Sequence, residues 1–322
     1  MKPHIVIISP YLAKANNGNW FTASRWARFL RKQYRVTLAL EWDGTRCDAM
    51  IALHARRSAD AIKAFSSAQA ASPLIVVLTG TDLYRDIHSD VSAQHSLQLA
   101  THLVVLQPEG LKELTVSMRN KASVIYQSAS SLKPLGQKAK ARYFDVTMIG
   151  HLRSEKDPVT FMRAAAQIES PQVRLIHIGG ALDPLLGTQA EATLSAYPEY
   201  RWLGQLPHTE TRQRLKRSHL MVIASVMEGG AHVIIEAVTS GVPVLASDIS
   251  GNRGMLGADY AGYFPLGDSL KLARLIDKAA SDEAFYRLLQ SQCNARAPLF
   301  APAQESTALL QLVDNCIQPT LA

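Results

Sequence analysis

Short runs of apolar, largely β-branched residues recur between stretches of helical spacing, at 4–9 (HIVIIS), 36–40 (VTLAL), 73–78 (PLIVVL), 102–106 (HLVVL) and 123–126 (SVIY). Runs that are apolar throughout belong to strands covered on both faces, and strands that alternate with helices make a parallel sheet. The pattern then starts again at 145–150 (DVTMIG), 173–179 (VRLIHIG), 200–204 (YRWLG), 219–225 (HLMVIAS) and 242–247 (VPVLAS). Two Rossmann-like α/β halves follow. The segment 128–140 between them, rich in Ser, Lys, Gly and Pro and without periodicity, reads as a linker. An N-terminal domain is therefore expected at 1–138 and a C-terminal domain at 139–302.

The chain has 322 residues, of which 47% are hydrophobic and 19% charged, enough for a large core in each half. Disordered, collagenous and disulfide-scaffold classes are excluded. No apolar run approaches the roughly 18 residues a membrane span needs. Met1-Lys2-Pro3-His4 leads straight into a β-like run and does not read as a signal peptide, so a cytoplasmic location is expected. Cys47, Cys293 and Cys316 are far apart, with no CxxC pair, so neither zinc nor disulfides are expected.

The net charge of +7 is unevenly spread: residues 1–140 carry 18 Lys and Arg against 9 Asp and Glu, whereas the remainder has a slight acidic excess. No basic block or zinc-finger motif accompanies that charge, which argues against nucleic acid as a partner. An anionic small molecule, or an anionic membrane surface, fits it better. In the first helical stretch, Ala23, Trp26, Ala27, Leu30 and Tyr34 fall on one face at 100° per residue. Arg25, Arg28, Arg31, Lys32 and Arg35 fall on the other, with Phe29 the one large apolar residue outside the stripe. Such a basic face is usually solvated, although it also suits an anionic membrane.

In doubly wound sheets ligands bind beyond the C-terminal ends of the strands, and two such domains make a cleft between them the expected site. After 145–149 come Gly150, Arg153 and Lys156 ahead of a helical pattern, a loop suited to cradling a diphosphate with helix amides and two cations. After 219–225 come Glu228, Gly229, Gly230 and Ala231, then a helix containing Glu236 and ending at Gly241. The Glu-x7-Glu spacing is weak by itself, since Glu191 and Glu199 repeat it in a stretch that reads as solvated surface. Its place behind a buried strand distinguishes it. A buried Glu236 needs a partner, which paired ligand hydroxyls or a neighbouring arginine would supply.

In the first half, Lys14, Gly18 and Asn19 lie in the loop after the first strand, ahead of a helix expected from about Thr22, where amides could form an anion nest. Thr81, Asp82 and Arg85 follow the third apolar run. Thr81 and Asp82 could orient a sugar or acceptor oxygen, although Asp82 could equally cap the helix behind it. His102, His177 and His219 flank strands and read as structural. There is no Walker A loop, no GxSxG elbow and no HExxH helix, and the lack of Asp-x-Asp argues against a metal-dependent GT-A transferase.

On the Gly150 to Lys156 loop and the Glu228 to Glu236 motif, the whole chain resembles the GT-B glycosyltransferases of family 4. That resemblance implies two Rossmann-like domains facing across a cleft. It gives Lys156 and a nearby arginine to the donor diphosphate, Glu236 to the ribose hydroxyls, and Glu228 with the amides of Gly229, Gly230 and Ala231 to the donor sugar. The family has Arg directly after the loop glycine, where this chain has His151, so the arginine's role passes to Arg153. A helix at 303–322 crossing back to the first domain is also implied.

The wording at Pro10-Tyr11 and 17–20 (NGNW), at 78–86 (LTGTDLYRD) and at 150–158 (GHLRSEKDP) is similar to the selenosugar synthases of selenoneine biosynthesis. This implies transfer of a sugar from a UDP-sugar, chiefly UDP-N-acetylglucosamine, to selenophosphate, with no cofactor and no metal. Alternatives from the same reading are a lipid or hydroxyl acceptor in cell-envelope glycan assembly, and a non-catalytic nucleotide-sugar or nucleic-acid binding module.

Overall fold

The computed structural model describes residues 2–11, 18–132 and 142–317, and the chain divides into two compact units. The first comprises Met1–Ser128, Glu228–Gly230 and Pro302–Ala322; the second comprises Ala129–Met227 and Ala231–Ala301. The division falls at Ser128, ten residues before the boundary expected from the linker's composition.

The first unit holds a six-stranded parallel sheet: β1 (His4–Ile8), β2 (Arg35–Ala39), β3 (Ala49–Leu53), β4 (Leu74–Leu78), β5 (His102–Val105) and β6 (Ala122–Val124), in the order β2-β1-β3-β4-β5-β6. Alternate residues of β1 enter opposite cores. Ile5 and Ile7 pack with Trp26, Leu30, Leu309 and Val313 of the helices Gly18–Leu30 and Pro302–Ile317, while Val6 and Ile8 pack with Ile62, Phe65 and Leu97 on the other face. Burying each such large side chain contributes about 1.5–3 kcal/mol. β3 was missed in the sequence because its AMIAL run has one β-branched residue, yet all five residues are buried.

The helix Gly18–Leu30 starts four residues earlier than expected, so Gly18 and Asn19 lie in its first turn, where the Gly18 carbonyl accepts from the Thr22 hydroxyl at 2.8 Å. Two residues assigned to its outer face lie inside. Phe29 is 6% exposed, and Arg25 pairs with the buried Glu305, its Nε and Nη2 at 2.7 and 3.0 Å from the carboxylate. Trp26 Nε1 at 2.7 Å and the Ser128 hydroxyl at 2.5 Å complete that carboxylate's partners and pin the Pro302–Ile317 helix to this unit. Arg28, Arg31, Lys32 and Arg35 remain exposed.

The second unit holds β7 (Phe144–Ile149), β8 (Val173–Ile178), β9 (Tyr200–Trp202), β10 (Leu220–Ile223), β11 (Val244–Ser247) and the two-residue β12 (Tyr263–Phe264), all parallel, in the order β12-β11-β10-β7-β8-β9. Counted from β7, this is the dinucleotide-fold order 3-2-1-4-5-6, whose winding reverses between β7 and β10. The first sheet has the other doubly wound order, reversing between β1 and β3. His177 and His219 are structural: His177 bonds the Tyr200 hydroxyl at 3.0 Å, and His219 Nδ1 accepts the Asp145 amide at 3.0 Å. Among the described residues no helix is long and apolar enough to cross a membrane.

Candidate active site

The chain leaves both strands at the winding reversal of the second sheet through loops, 150–157 after β7 and 224–231 after β10, of which Glu228–Gly230 group with the first unit. The two loops are tied together where the Val226 amide donates to the Glu155 carbonyl at 3.0 Å. The two sequence motifs thus meet at the crevice where open α/β sheets take ligands.

The first loop doubles back. A Cβ on Gly150 would lie 3.5 Å from Lys156 Cγ, so the lysine stem runs beside Gly150, and the half-buried Lys156 ends a short turn, Ser154–Lys156. Arg153 enters that turn in an extended conformation and is exposed. His151 Nδ1 accepts the Gly180 amide at 3.1 Å; burial first, and the charges of Arg153 and Lys156 after it, hold its pKa below the ordinary histidine value. His151 therefore serves the loop as a neutral acceptor beside the Arg153 and Lys156 side chains.

The amide cradle expected behind the loop is smaller than the sequence suggests. The following helix, Pro158–Ala164, starts with a proline that has no N–H. Asp157, left-handed at φ 44°, takes the Thr160 amide at 3.3 Å and the Thr160 hydroxyl at 2.5 Å. One residue that sequence reasoning missed does shape the loop. At Gly179, φ 158°, a Cβ would stand 1.9 Å from the Gly150 carbonyl oxygen, so only glycine lets the ends of β7 and β8 approach this closely.

In the second loop Gly229, Gly230 and Ala231 are buried and Glu228 is half-buried. The helix His232–Val238 begins directly after Ala231 and is closed by Gly241 at φ 72°. Glu236 is 4% exposed. Its Oε1 bonds His208 Nε2 at 2.6 Å, with Arg212 Nε and His232 Nδ1 each at 3.6 Å; Oε2 accepts no hydrogen bond among the described residues. Burial pushes this carboxyl's pKa up, but the His208 hydrogen bond and the charges of His232, His208 and Arg212 outweigh it and hold Glu236 below the usual value. A neighbouring arginine thus contributes, as the sequence allowed, but a histidine makes the hydrogen bond. His208 and Arg212 lie four apart on one face of the helix His208–Arg217, the one signal that could have found them. Arg212 Nη2 also donates to the Ser130 carbonyl at 2.6 Å, inside the linker segment. Glu191 and Glu199 are exposed, in keeping with a solvated surface.

The first unit treats its expected residues differently. Asp82 is fully buried and turned inward: Oδ1 accepts the Thr79 and Gly80 amides, each at 2.9 Å, and the Thr79 hydroxyl at 3.3 Å, while Oδ2 accepts the Ala55 amide at 3.0 Å. With three of these donors on Oδ1 and one on Oδ2, the fully buried Asp82 staples the loops that follow β3 and β4. Thr81, half-buried, bonds His54 Nε2 at 3.1 Å. Arg85 is exposed, its Nε 3.0 Å from Asp86, in a π-helical turn at Asp82–Asp86. Lys14 lies outside the described residues.

Two parallel-sheet Rossmann-like domains define a GT-B glycosyltransferase fold. Solved structures share it across nearly the whole chain. HepE from Anabaena, crystallised with UDP and glucose, superposes with a TM-score of 0.79 at 17% identity, covering 97% of this chain and 100% of that one. Sucrose-phosphate synthase from Thermosynechococcus elongatus gives 0.80 at 16% identity, covering 99% and 100%. The chain belongs to the glycosyl transferases group 1 family, whose profile matches residues 135–298. It is also 31% identical over 160 residues to glycosyltransferase 1 domain-containing protein 1 of Xenopus tropicalis, a match spanning 49% of this chain and 44% of that protein.

Proposed function

We propose that this protein transfers a sugar from a UDP-sugar, UDP-N-acetylglucosamine being the expected donor, to selenophosphate, giving a 1-seleno-sugar for selenoneine biosynthesis. The carrying observation is the juncture of the 150–157 and 224–231 loops at the β7/β10 reversal, joined by the Val226 to Glu155 hydrogen bond. This puts the Lys156 loop next to the loop that leads into the Glu236 helix. Support for the donor comes from HepE, crystallised with UDP-glucose as well as with UDP and glucose. Support for the acceptor comes from the sequence resemblance and from the basic excess of the first 140 residues.

Glu236 Oε2 accepts from the ribose hydroxyls, while Glu228 with the amides of Gly229, Gly230 and Ala231 meets the sugar. As the anomeric C–O bond breaks, its electron pair leaves on the diphosphate, where Arg153 and Lys156 stabilise the growing charge. A selenium lone pair forms the new bond to carbon, giving a sugar–Se–phosphoryl adduct; water then attacks phosphorus, the Se–P bond breaks with its electron pair and a proton going to selenium, and inorganic phosphate leaves the seleno-sugar. The acceptor is already an anion, so no strong general base is required. Lys156→Ala and Glu236→Ala should each strongly lower UDP release while leaving the fold intact; undiminished turnover in either would overturn the site.

A second reading, transfer to a lipid or hydroxyl acceptor in envelope glycan assembly, is favoured by the exposed row Arg28, Arg31, Lys32 and Arg35. The burial of Phe29 takes from that face the apolar residue that would enter a bilayer. Salt-releasable recovery in washed membranes would support it.

A further inference from the structure

Two features of the first unit serve nothing described so far. His54, at the C-terminal end of β3, is left-handed at φ 73°, a conformation that costs a bulky residue of order 1 kcal/mol or more. The Asp82–Asp86 turn beside it is π-helical, a rare form that recurs at functional sites. Both lie by the β1/β3 reversal, the ligand-binding position of this sheet order.

The hydrogen bonds of His54 decide where one proton is available. Its Nδ1 lies 3.4 Å from the Arg57 amide, which points its hydrogen at it, and 3.8 Å from Asp82 Oδ2, beyond hydrogen-bond distance; the neutral ring that satisfies the amide carries its proton on Nε2 and donates it to Thr81 Oγ1 at 3.1 Å. Having received that bond, the Thr81 hydroxyl keeps its own hydrogen to donate, and no group among the described residues takes it.

The same turn holds two guanidiniums on one carboxylate. Asp86 is 4% exposed; Oδ1 accepts from Arg85 Nε at 3.0 Å, and Arg56 Nε lies 3.0 Å from Oδ2, off the hydrogen-bonding direction. Each arginine commits only Nε. The terminal nitrogens of both make no hydrogen bond among the described residues, on side chains 41% and 48% exposed. Arg57, one residue on, lies over the Tyr11 ring at 5.1 Å and so links the ends of β3 and β1. Two guanidiniums, Arg56 and Arg85, face the single carboxylate of Asp86, with Arg57 next in the chain to Arg56, while the Asp82 carboxylate is taken up by four amide and hydroxyl donors. The balance is positive, and two planar forks with spare N–H groups suit a tetrahedral oxyanion.

We propose that Arg56, Arg85 and the Thr81 hydroxyl form an oxyanion site for a phosphate-type acceptor, with Asp86 and His54 as positioning residues and Arg57 adding charge. This deepens the selenophosphate reading and rests on it for the selenium alone, since phosphate and thiophosphate present the same oxygens.

The test titrates the full-length protein with inorganic phosphate, followed by phosphorus NMR, with UDP saturating so that the diphosphate loop is filled. The wild type should bind phosphate saturably. An Arg56→Gln/Arg85→Gln double variant should weaken it at least about tenfold while UDP affinity stays within about twofold. Thr81→Val and His54→Leu should weaken it severalfold, and Thr81→Ser and His54→Asn, which restore the hydroxyl and a side-chain donor, should recover it. Absence of saturable phosphate binding in the wild type, or wild-type affinity in the double variant, overturns the site. Phosphate binding lost in the double variant, with no selenium product from the wild type, upholds this site and removes the selenophosphate reading. Selenium product formed by the double variant with unchanged acceptor dependence does the reverse.

Discussion

His208 Nε2 lies 2.6 Å from Glu236 Oε1, tying the helix that follows β9 to the helix that follows β10. The contact occupies one carboxylate oxygen, while the other accepts no hydrogen bond among the described residues. Glu236→Ala should weaken UDP by about ten- to a hundredfold, the loss of hydrogen bonds to a charged acceptor. His208→Ala should cost less, roughly three- to tenfold, because Arg212 and His232 still face the carboxylate. Calorimetric titration with UDP measures both, and equal losses would contradict the division of roles.

Lys156 runs beside Gly150 and Arg153 is exposed in the same loop. If both stabilise the departing diphosphate, each alanine variant should lower kcat by about 10²- to 10³-fold. Steady-state kinetics separates this from a KM effect; a change confined to KM would mean that they bind ground state and transition state alike.

The two loop glycines should behave differently. Gly179→Ala forces a Cβ to 1.9 Å from the Gly150 carbonyl, and φ 158° is unfavourable to alanine, so about 2–3 kcal/mol of stability and most UDP binding should be lost. Gly150→Ala meets only the lysine stem at 3.5 Å, an ordinary contact, and should fold normally. Thermal denaturation of the pair checks the contrast.

His177 gives an acid-sensitive element. It is fully buried, and desolvation pushes its pKa down to about 4. The folded state holds the neutral ring and the unfolded chain protonates near 6.5, so stability is complete above that pH and declines as pH falls from about 6.5 toward 4. The loss approaches roughly 3 kcal/mol, and His177→Gln should flatten that part of the stability profile. Denaturant titrations across this range would show it; an unchanged slope would contradict it.

Glu305 anchors the C-terminal helix through Arg25, Trp26 and Ser128. Glu305→Ala strands the largely buried Arg25 guanidinium and should destabilise the protein by about 3–5 kcal/mol. A midpoint shift in chemical denaturation reports it.

Much of the fold was legible because strands buried on both faces write themselves as unbroken apolar runs, as at Leu74–Leu78 and Leu220–Ile223. β3 escaped because alanine, methionine and leucine favour helix, and only tertiary burial makes Ala49–Leu53 a central strand. Gly150, Lys156 and Glu236 could be picked out since loop glycines and a strand-to-helix carboxylate carry local signals. His208 and Arg212 reach Glu236 from a helix about thirty residues earlier, and no local pattern encodes that meeting. Arg25 misled for the same reason, since its partner Glu305 is distant in the chain.

The central claim is most directly tested by incubating the protein with UDP-N-acetylglucosamine or UDP-glucose, with and without freshly prepared selenophosphate, and measuring UDP release and product mass. A selenium-bearing sugar mass that appears only with selenophosphate, alongside matching UDP release, is the predicted result. UDP binding with no selenium product would contradict the proposed acceptor and move the reaction to a lipid or hydroxyl compound.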